Sequence, residues 1–517
     1  MTSERRRALL LAAAATPLAA ACSGDAGVTM PGTGAMADTS GAGVMDGSTG
    51  GAATALPGLT EGQPLPGLPL LANGSAAPGA FEATVRAAPA QVDYLGGGRS
   101  TAVLTYNGAS PGPTIVATEG DRVRVRFENR IPGQPSTIHW HGLPVPADQD
   151  GNPMDPVASG ADRLYEFTLP EGCAGSYWYH PHPHEFTAEQ VARGLAGAFI
   201  VQPRSDPLPA GLEDHVLMFT DLRIDADGRM MEWTAADMMN GRLGDHVLVN
   251  GRRNPVLAAA PGATLRLRLF NATNARFLRL AFDGLPMTLI GTDGGLLGAP
   301  VADLAELLLT PGERVEAVVQ MPAHAGAQIA LRMLAHDRGA MTGSMAASTQ
   351  SSVLALRTQG APRTPVVLPA TLRQVTPLPA PQAYKRVELT ERMGMMGGGM
   401  MGGGVMGAQF LLNGRSFDMN RVDWTSIAGQ VEQWEFVNRS SMDHPMHIHG
   451  TQFQVTETEV GTARTPAAYL AWKDTVVVPR GATVRLRIRF DLPGLRMVHC
   501  HILEHEAQGM MGVLRVQ

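Results

Sequence analysis

A ten-residue pattern occurs three times along the chain and restricts its fold more than any other feature. Each copy begins with Gly, continues with alternating apolar residues and ends with Asn. The copies are Gly120–Asn129, Gly262–Asn271 and Gly429–Asn438, and an Asn-Gly pair precedes each one, at Asn107-Gly108, Asn250-Gly251 and Asn413-Gly414. Such alternation between turn residues is typical of a strand with one buried face. Three copies therefore predict three related all-β domains, each a β-sandwich with Greek-key connections.

The repeats also set the expected domain limits. At 517 residues the chain is too long for a single hydrophobic core. We predict domains at about residues 82–205, 210–358 and 383–517. The Pro- and Thr-rich segment 359–382 is predicted to be the linker between the second and third domains. Few segments have helical periodicity, and one short helix is expected near Ala188 to Arg193.

Residues 1–22 have the pattern of an export signal. Arg5, Arg6 and Arg7 precede an apolar, Ala-rich run to Ala21 that is too short for a stable membrane anchor. The arginine pair before this run resembles a twin-arginine signal, with cleavage after Ala21. Alternatively Cys22 is a lipoprotein attachment site, although the residue three positions earlier is Ala rather than the usual Leu or Val. We therefore expect the periplasm or cell envelope, with membrane attachment only if Cys22 is lipidated.

Residues 23–80 consist largely of Gly, Ala, Ser, Thr and Pro with few bulky apolar residues. Such a segment buries too little surface to offset the entropy lost on folding. The composition predicts a disordered tether.

Net charge and cysteine count exclude several other features. The formal net charge of -6 argues against a nucleic-acid partner. If Cys22 is removed or lipidated and Cys500 binds metal, Cys173 has no partner for an intrachain disulfide. A monomer is expected.

The C-terminal segment contains a set of soft and borderline metal ligands. Cys500, His505 and Met510 supply three of the four ligands of a blue-copper site, which is a trigonal site of two His and one Cys with a long axial Met. The second histidine must come from elsewhere in the chain. Since neighbours in a strand point to opposite sides, His499 and His501 are expected to bind something else.

Four His-X-His pairs occur at matched positions of the first and third repeats. They are His139/His141, His180/His182, His447/His449 and His499/His501, and the place after Asn271 in the second repeat has no histidine. Two such imidazoles lie on one face of a strand, about 6.6 to 6.8 Å apart along the backbone, and can address different metals. Eight histidines from two domains predict an interdomain metal cluster. The remaining histidine of the blue site is then His444.

With these motifs the chain resembles the bacterial three-domain multicopper oxidases of the laccase family, and most of all the periplasmic copper-efflux (cuprous) oxidases. The resemblance covers roughly residues 81–517 with all four copper motifs intact. It implies tandem cupredoxin-like domains and four copper ions per chain, which couple oxidation of a donor to the four-electron reduction of O2 to water. By motif position, type 1 copper is held by His444, Cys500, His505 and Met510, type 2 by His139 and His447, and the type 3 pair by His141, His180, His182, His449, His499 and His501.

Two acidic residues match positions that family members use near the copper cluster. Glu506 follows His505 directly, and Asp150 lies in a turn after the first histidine pair. Both are predicted to supply protons for O2 reduction, because a positioned carboxylate suits proton transfer. The alternative is that they are solvated loop acids.

A methionine- and glycine-rich tract, residues 393–406, points to the donor. Thioethers select Cu(I), and glycine lets a chain fold them around an ion. Copper-efflux oxidases carry a Met-rich insert over the type 1 site, so the resemblance favours Cu(I) as substrate. Family members with a defined substrate-copper site usually have an acid where this chain has Ser440. The candidate Cu(I) contacts are Met395, Met396, Met400, Met401, Met442 and Asp443.

Several functions remain compatible with these residues. The preferred prediction is an exported oxidase that oxidises Cu(I), and also phenolic donors, in copper tolerance. The alternatives are a general laccase acting on phenols and aromatic amines, and a Met-rich protein that sequesters copper. A structural relative in envelope maintenance is expected to have lost ligands, whereas this chain keeps all of them.

Overall fold

The computed structural model describes residues 58–341, 351–395 and 406–517, without the side chains of residues 394, 395 and 406. The predicted export signal, the first part of the predicted tether and residues 396–405 of the methionine tract lie outside the described residues. Within the described ranges, no helix is long and apolar enough to cross a membrane.

The first sandwich contains eight strands and one short helix. A sheet in the order β2-β1-β4-β6 packs on a sheet in the order β3-β8-β7-β5. The helix confirms the one expected near residue 188. The strands are β1 Ala80–Val92, β2 Thr101–Tyr106, β3 Gly112–Thr118, β4 Arg122–Asn129, β5 His139–His141, β6 Asp162–Thr168, β7 Gly175–His180 and β8 Gly197–Gln202, with a 3-10 turn at Ala147–Gln149 and helix α1 at Thr187–Ala192.

The middle sandwich has a larger first sheet. It pairs strands in the order β11-β10-β9-β13-β18-β15-β16 and packs on a sheet in the order β12-β20-β19-β14-β17. Its elements are β9 Glu213–Leu222, α2 Ala235–Asn240, β10 His246–Val249, β11 Arg252–Arg253, β12 Val256–Ala259, β13 Thr264–Asn271, β14 Leu278–Phe282, β15 Met287–Thr292, β16 Gly295–Leu304, β17 Leu307–Leu309, β18 Arg314–Gln320, β19 Gln328–Leu334 and β20 Ser351–Thr358.

The third sandwich packs a sheet in the order β22-β21-β24-β29-β26-β27 on a sheet in the order β23-β31-β30-β25-β28. Its elements are β21 Ala383–Met395, β22 Met406–Leu412, β23 Trp424–Ser426, β24 Val431–Asn438, β25 His444–Ile448, β26 Phe453–Val460, β27 Ala463–Pro466, β28 Thr475–Val478, β29 Ala482–Arg489, β30 Gly494–Cys500, α3 Leu503–Ala507 and β31 Met511–Val516.

The repeated pattern plays the same structural role in all three sandwiches. Its copies form β4, β13 and β24, and each pairs in parallel with the first long strand of its own domain. The final Asn is buried, and its side-chain amide donates to two backbone carbonyls and so holds the following loop. The carbonyls belong to Gln134 and Val157 for Asn129, to Arg276 and Leu309 for Asn271, and to Met442 and Val478 for Asn438. The prediction of three tandem all-β, cupredoxin-like Greek-key sandwiches is confirmed.

The Asn-Gly pairs form tight turns for a local reason. Asn107, Asn250 and Asn413 have φ between 50° and 51°, and the glycine after each has φ between 74° and 79°. Positive φ at both central residues is the requirement of a type I′ turn, which Asn-Gly satisfies with little strain.

The prediction of a disordered tether is wrong for residues 58–79. Leu59 is buried beside Leu222 and Leu248, and the backbone N–H of Leu65 donates to Val256 at 2.8 Å. Further along, the N–H of Leu71 donates to Thr114 at 2.8 Å. This strap, residues 58–79, is held by backbone hydrogen bonds and by leucines that pack on the sandwiches, so the small-residue composition concealed its order.

A buried charge network joins the first and middle sandwiches. Glu316 of β18 accepts a hydrogen bond from the Ser176 hydroxyl at 2.7 Å and pairs with Arg266 and Arg268 of β13. Burial alone would raise the pKa of Glu316, but the two guanidinium groups outweigh it and lower the pKa from 4.5 to about 2. The ionised carboxylate therefore stabilises the folded chain.

This network predicts acid sensitivity. Because the folded-state pKa of Glu316 is depressed, its contribution is present above pH 4.5 and is lost as the pH falls towards 2. At about 1.4 kcal/mol per pKa unit, on the order of 3 kcal/mol of unfolding free energy should disappear across that window. We expect Glu316→Gln to lower stability at neutral pH and to flatten this decline, measured by urea unfolding of copper-free protein. An equally steep decline in the variant would contradict the assignment.

Candidate metal centres

The first candidate centre lies in the core of the third sandwich, where three short elements meet. His444 begins β25, Cys500 ends β30 and His505 lies in α3. The Cys500 Sγ atom is 3.4 Å from His444 Nδ1 and 3.9 Å from His505 Nδ1, and the two Nδ1 atoms are 3.4 Å apart. Met510 is fully buried in the same core cluster, and its carbonyl accepts a hydrogen bond from the Cys500 N–H.

The imidazoles of this centre are oriented by contacts behind them. Ser440 Oγ is 2.7 Å from His444 Nε2, and the Phe410 ring stacks on His505 with centroids 3.8 Å apart. These contacts hold both Nδ1 atoms towards the sulfur. Burial lowers the pKa of His444 to about 3 and raises the pKa of the Cys500 thiol well above its ordinary value.

The second candidate centre combines histidine pairs from two sandwiches. In the first, β5 pairs with β7 so that His139 lies opposite His180. In the third, β25 pairs with β30 so that His447 lies opposite His499. The two halves meet face to face, and the stacked ring centroids are 3.7 Å apart for His139 and His449 and 3.8 Å apart for His141 and His447.

All eight predicted histidines converge at this interface and are fully buried. The Nε2 atoms of His139 and His447 are 3.4 Å apart, and those of His182 and His499 are 3.2 Å apart. The closest approaches also include 3.4 Å between His141 Nδ1 and His180 Nε2 and 3.1 Å between the Nε2 atoms of His449 and His499. The ring of His501 lies 5.0 Å from that of His141.

Hydrogen bonds behind the rings fix which nitrogen faces inward. Backbone carbonyl oxygens lie 2.9 to 3.0 Å from the Nδ1 atoms of four histidines. The carbonyls belong to Asp150 for His139, Pro181 for His180, Asp474 for His447 and Cys500 for His499. Because these carbonyls require Nδ1 to carry the proton, the Nε2 lone pairs point into the centre. An outer partner of this kind is usual for histidines that bind metal.

The residues of both centres fit copper. Burial lowers the pKa of seven of the cluster histidines, so their imidazoles are neutral, as metal binding requires: His141, His180, His182, His447, His449, His499 and His501. Among the described residues, His501 has no hydrogen-bond partner for either ring nitrogen, although it is fully buried. A bound ion would satisfy one of these two nitrogens. Thiolate and thioether in one centre and imidazoles in the other match the preferences of copper.

Both predicted acids lie beside the cluster histidines. The carboxylate of Asp150 is 3.3 Å from His139 Nδ1 and 3.3 Å from His449 Nδ1. The carboxyl of Glu506 lies 3.8 Å from His182 Nδ1 and 3.7 Å from His499 Nδ1. Burial, with a smaller contribution from a neighbouring acid, raises the pKa of Glu506 to about 8. This carboxyl can therefore hold a proton near neutral pH.

Sequence reasoning missed a third acid, Asp474. Its carboxylate is fully buried, lies 3.0 Å from His141 Nε2 and accepts a bidentate pair of hydrogen bonds from Arg314. Burial would raise the pKa of Asp474, but Arg314 and His141 hold it well below its ordinary value. In the sequence Asp474 simply precedes an apolar strand, and its partners come from two other domains, so no local pattern marks it.

The candidate Cu(I) contacts fall into two groups, one outside the described residues and one buried in the third sandwich. The tract joins β21 to β22, and Met396, Met400, Met401 and the Met395 side chain lie outside the described residues. Met442 is fully buried in the core, and Asp443 is buried and accepts from the Arg480 backbone N–H at 2.9 Å. Neither residue is exposed, and their role as Cu(I) contacts stays a prediction.

Family comparisons match three parts of the chain. The family models for residues 88–206, 213–354 and 390–517 are each described as multicopper oxidase. Together they cover most of the chain and follow the three sandwiches.

Individual proteins are similar to this chain over most of their length. A multicopper oxidase mco from Staphylococcus haemolyticus is 31% identical over 423 residues, which is 80% of this chain and 83% of that protein. A cell division protein FtsP from Photorhabdus laumondii is 32% identical over 429 residues, 80% of this chain and 85% of that protein. The solved structure of a multicopper oxidase from Campylobacter jejuni, described as a metallo-oxidase, superposes with a TM-score of 0.82 at 38% identity, covering 89% of this chain and 96% of that one.

Proposed function

The chain belongs to the multicopper oxidase family, and from this premise we propose that it oxidises Cu(I) to Cu(II) with O2 as electron acceptor, in copper tolerance. Phenolic compounds are proposed as secondary donors, and the periplasm or cell envelope as the location. Family membership makes the protein an oxidoreductase. The proposal concerns its donor and its place in the cell.

The observation that carries the choice of donor is the position of the methionine tract. Strand β22 places Phe410 on the ring of His505. On the partner strand β21, the Glu391 carboxylate accepts a hydrogen bond from the Ser441 N–H at 2.9 Å. Ser441 adjoins Ser440, which contacts His444. The hairpin that carries the tract therefore supplies the ring that stacks on His505 and contacts the residue next to Ser440.

Soft donors at this position suit a soft substrate. Met393, the last residue before the gap whose side chain the structure describes, is 41% exposed. Several thioethers on one hairpin can bind Cu(I) and release it after oxidation, because Cu(II) prefers nitrogen and oxygen ligands.

The protein supplies a covalent connection between the two centres. Cys500 lies between His499 and His501 in the chain, so the backbone joins a ligand of the first centre to two ligands of the second. A hydrogen-bond contact of 3.0 Å between His499 Nδ1 and the Cys500 carbonyl shortens one of these connections. When bound, copper ions would supply the one-electron redox chemistry between the donor and O2.

The same residues exclude water and place protons. All ten proposed histidine ligands, Cys500 and Met510 have 0% exposure. Reduction of O2 to water consumes four protons, and Glu506 holds one at its carboxyl oxygen beside His182 and His499. Asp150 lies on the other side of the cluster, beside His139 and His449.

Replacing the methionines of the tract tests the proposed donor. We expect replacement of its six methionines by Ser, at unchanged length, to lower kcat/KM for Cu(I) oxidation by roughly tenfold or more, equivalent to a loss of ~1.4 kcal/mol. The methionines are Met393, Met395, Met396, Met400, Met401 and Met406. O2 uptake is measured with Cu(I) and with a phenol as donor, and phenol oxidation should be maintained or increased.

Each rival has its own outcome in this experiment. Unchanged Cu(I) oxidation combined with efficient phenol oxidation would favour a general laccase. Tight Cu(I) binding by the unmodified protein without O2 uptake would favour copper sequestration. One relative is named for cell division, so a role in cell division is the other candidate, and O2 uptake with neither donor would favour it. The complete ligand set argues for the oxidase.

A further inference from the structure

The middle sandwich carries none of the proposed copper ligands, yet one of its side chains reaches the second centre. Arg314, the first residue of β18, is fully buried between the three sandwiches. Its Nε donates to the Ser176 carbonyl of the first sandwich at 3.0 Å. Its Nη1 and Nη2 donate to the Asp474 carboxylate of the third sandwich at 2.8 and 2.6 Å. The guanidinium therefore connects all three domains.

The Asp474 carboxylate in turn contacts a histidine of the second centre. Its Oδ1 lies 3.0 Å from His141 Nε2 and accepts from the Thr475 hydroxyl at 2.9 Å. The Asp474 backbone carbonyl lies 2.9 Å from Nδ1 of a second histidine, His447. One residue thus orients His141 through its side chain and His447 through its main chain.

The carboxylate sets the tautomer of His141. Because an ionised carboxylate only accepts hydrogen bonds, His141 must carry its proton on Nε2, which leaves the Nδ1 lone pair free. That Nδ1 is the atom that lies 3.4 Å from His180 Nε2 inside the cluster. The arrangement holds only while the carboxylate is correctly placed, and a buried carboxylate without a partner is costly.

Two glycines show how closely the middle sandwich fits this site. A Cβ on Gly142, next to His141, would lie 2.2 Å from Asp474 Oδ2 and 2.5 Å from Arg314 Nη2. A Cβ on Gly312 would lie 2.8 Å from Cδ2 of His501. Both glycines have φ near 87°, in the left-handed region. No side chain could be added at either position without displacing the ion pair or a cluster histidine.

We propose that Arg314 is a positioning residue for the type 2 and type 3 copper ions, acting through Asp474 on His141 and His447. The inference rests on the proposed assignment of copper to the second centre. It gives the middle sandwich a direct part in holding a metal cluster whose ligands all come from the other two. The first centre lies beyond this contact network and should be unaffected.

The test compares copper retention in full-length, copper-loaded variants. In Arg314→Met the type 2 copper should dissociate to a chelator, with an affinity loss of roughly 10- to 100-fold, as expected when a partner behind a metal-bound histidine is removed. Arg314→Lys keeps the charge but not the bidentate hydrogen bonds of the guanidinium, so its copper affinity should lie between that of Arg314→Met and that of the wild type. Readouts are copper per chain and the type 2 signal in electron paramagnetic resonance, with the type 1 signal as internal reference.

Arg268→Met is the matched structural control. Arg268 is also a buried arginine of the middle sandwich, and it contacts Ser176, Glu316 and Asp214, which are not proposed ligands. We expect it to lower the thermal unfolding midpoint but to keep the type 2 signal. Loss of stability without copper loss in both variants would overturn the positioning role.

The remaining outcomes of the copper-retention test also bear on the positioning role of Arg314. If Arg314→Met does not fold, the proposal stands on Arg314→Lys, and type 2 retention equal to wild type in that variant would refute it. Parallel loss of the type 1 and type 2 signals would show a general structural effect and also refute it. Failure of the wild type itself to show a type 2 signal would instead contradict the underlying copper assignment.

Discussion

Replacing Cys500 by Ser is expected to abolish the blue type 1 absorption and to reduce O2 uptake with any donor to the background rate. Cys500 Sγ lies 3.4 Å from His444 Nδ1 and 3.9 Å from His505 Nδ1. A hydroxyl is a hard donor that does not replace a thiolate towards Cu(I) or Cu(II) in a trigonal site. The substitution also removes the sulfur from the covalent link to His499 and His501.

The matched control is Cys173→Ser. Cys173 is likewise a free, buried cysteine, but it lies in the core of the first sandwich. We expect this variant to keep the blue colour and the turnover. Absorption and electron paramagnetic resonance are recorded on copper-loaded protein, and the type 2 signal of Cys500→Ser should persist. Blue colour surviving in Cys500→Ser would refute the ligand assignment.

The all-β fold could be predicted because its signal is local. The alternating residues of β4, β13 and β24 have a period that belongs to strands, and the final Asn of each closes its own loop. The histidine pairs were equally visible, since His-X-His on a strand puts both rings on one face. Their convergence at one interface could be predicted because the histidines of either domain alone are too few to complete the metal cluster.

The parts that sequence reasoning missed depend on contacts between distant segments. Asp474 and Arg314 look ordinary in their own strands, and their meeting at His141 requires three domains to be in place. The strap at residues 58–79 was misjudged because backbone hydrogen bonds, which composition does not reveal, hold it to Thr114 and Val256. The burial of Met442 likewise depends on the tertiary packing around it.

Glu506→Gln is expected to slow reoxidation by O2 by roughly 10²-fold, because positioned acid–base groups contribute about 10²- to 10⁴-fold to proton-coupled steps. The amide keeps the shape of the side chain but cannot give up a proton at neutral pH. The Glu506 carboxyl is the acid 3.8 Å from His182 and 3.7 Å from His499. Reduction of the type 1 site by donor without O2 should stay at the wild-type rate. Stopped-flow recording of the blue absorption separates the two half-reactions.

Glu504→Gln provides the matched comparison, because both acids are buried on the same short helix, α3. Glu504 accepts hydrogen bonds from Asn274 at 2.8 Å and Trp233 at 3.2 Å, whereas Glu506 faces cluster histidines. A general effect of replacing a buried carboxyl group on α3 would slow both variants alike. A slow reoxidation confined to Glu506→Gln, with copper content unchanged, assigns the proton to the Glu506 carboxyl. Equal rates in the two variants would remove Glu506 from the proton route and leave Asp150, on the other side of the cluster, as the acid to test.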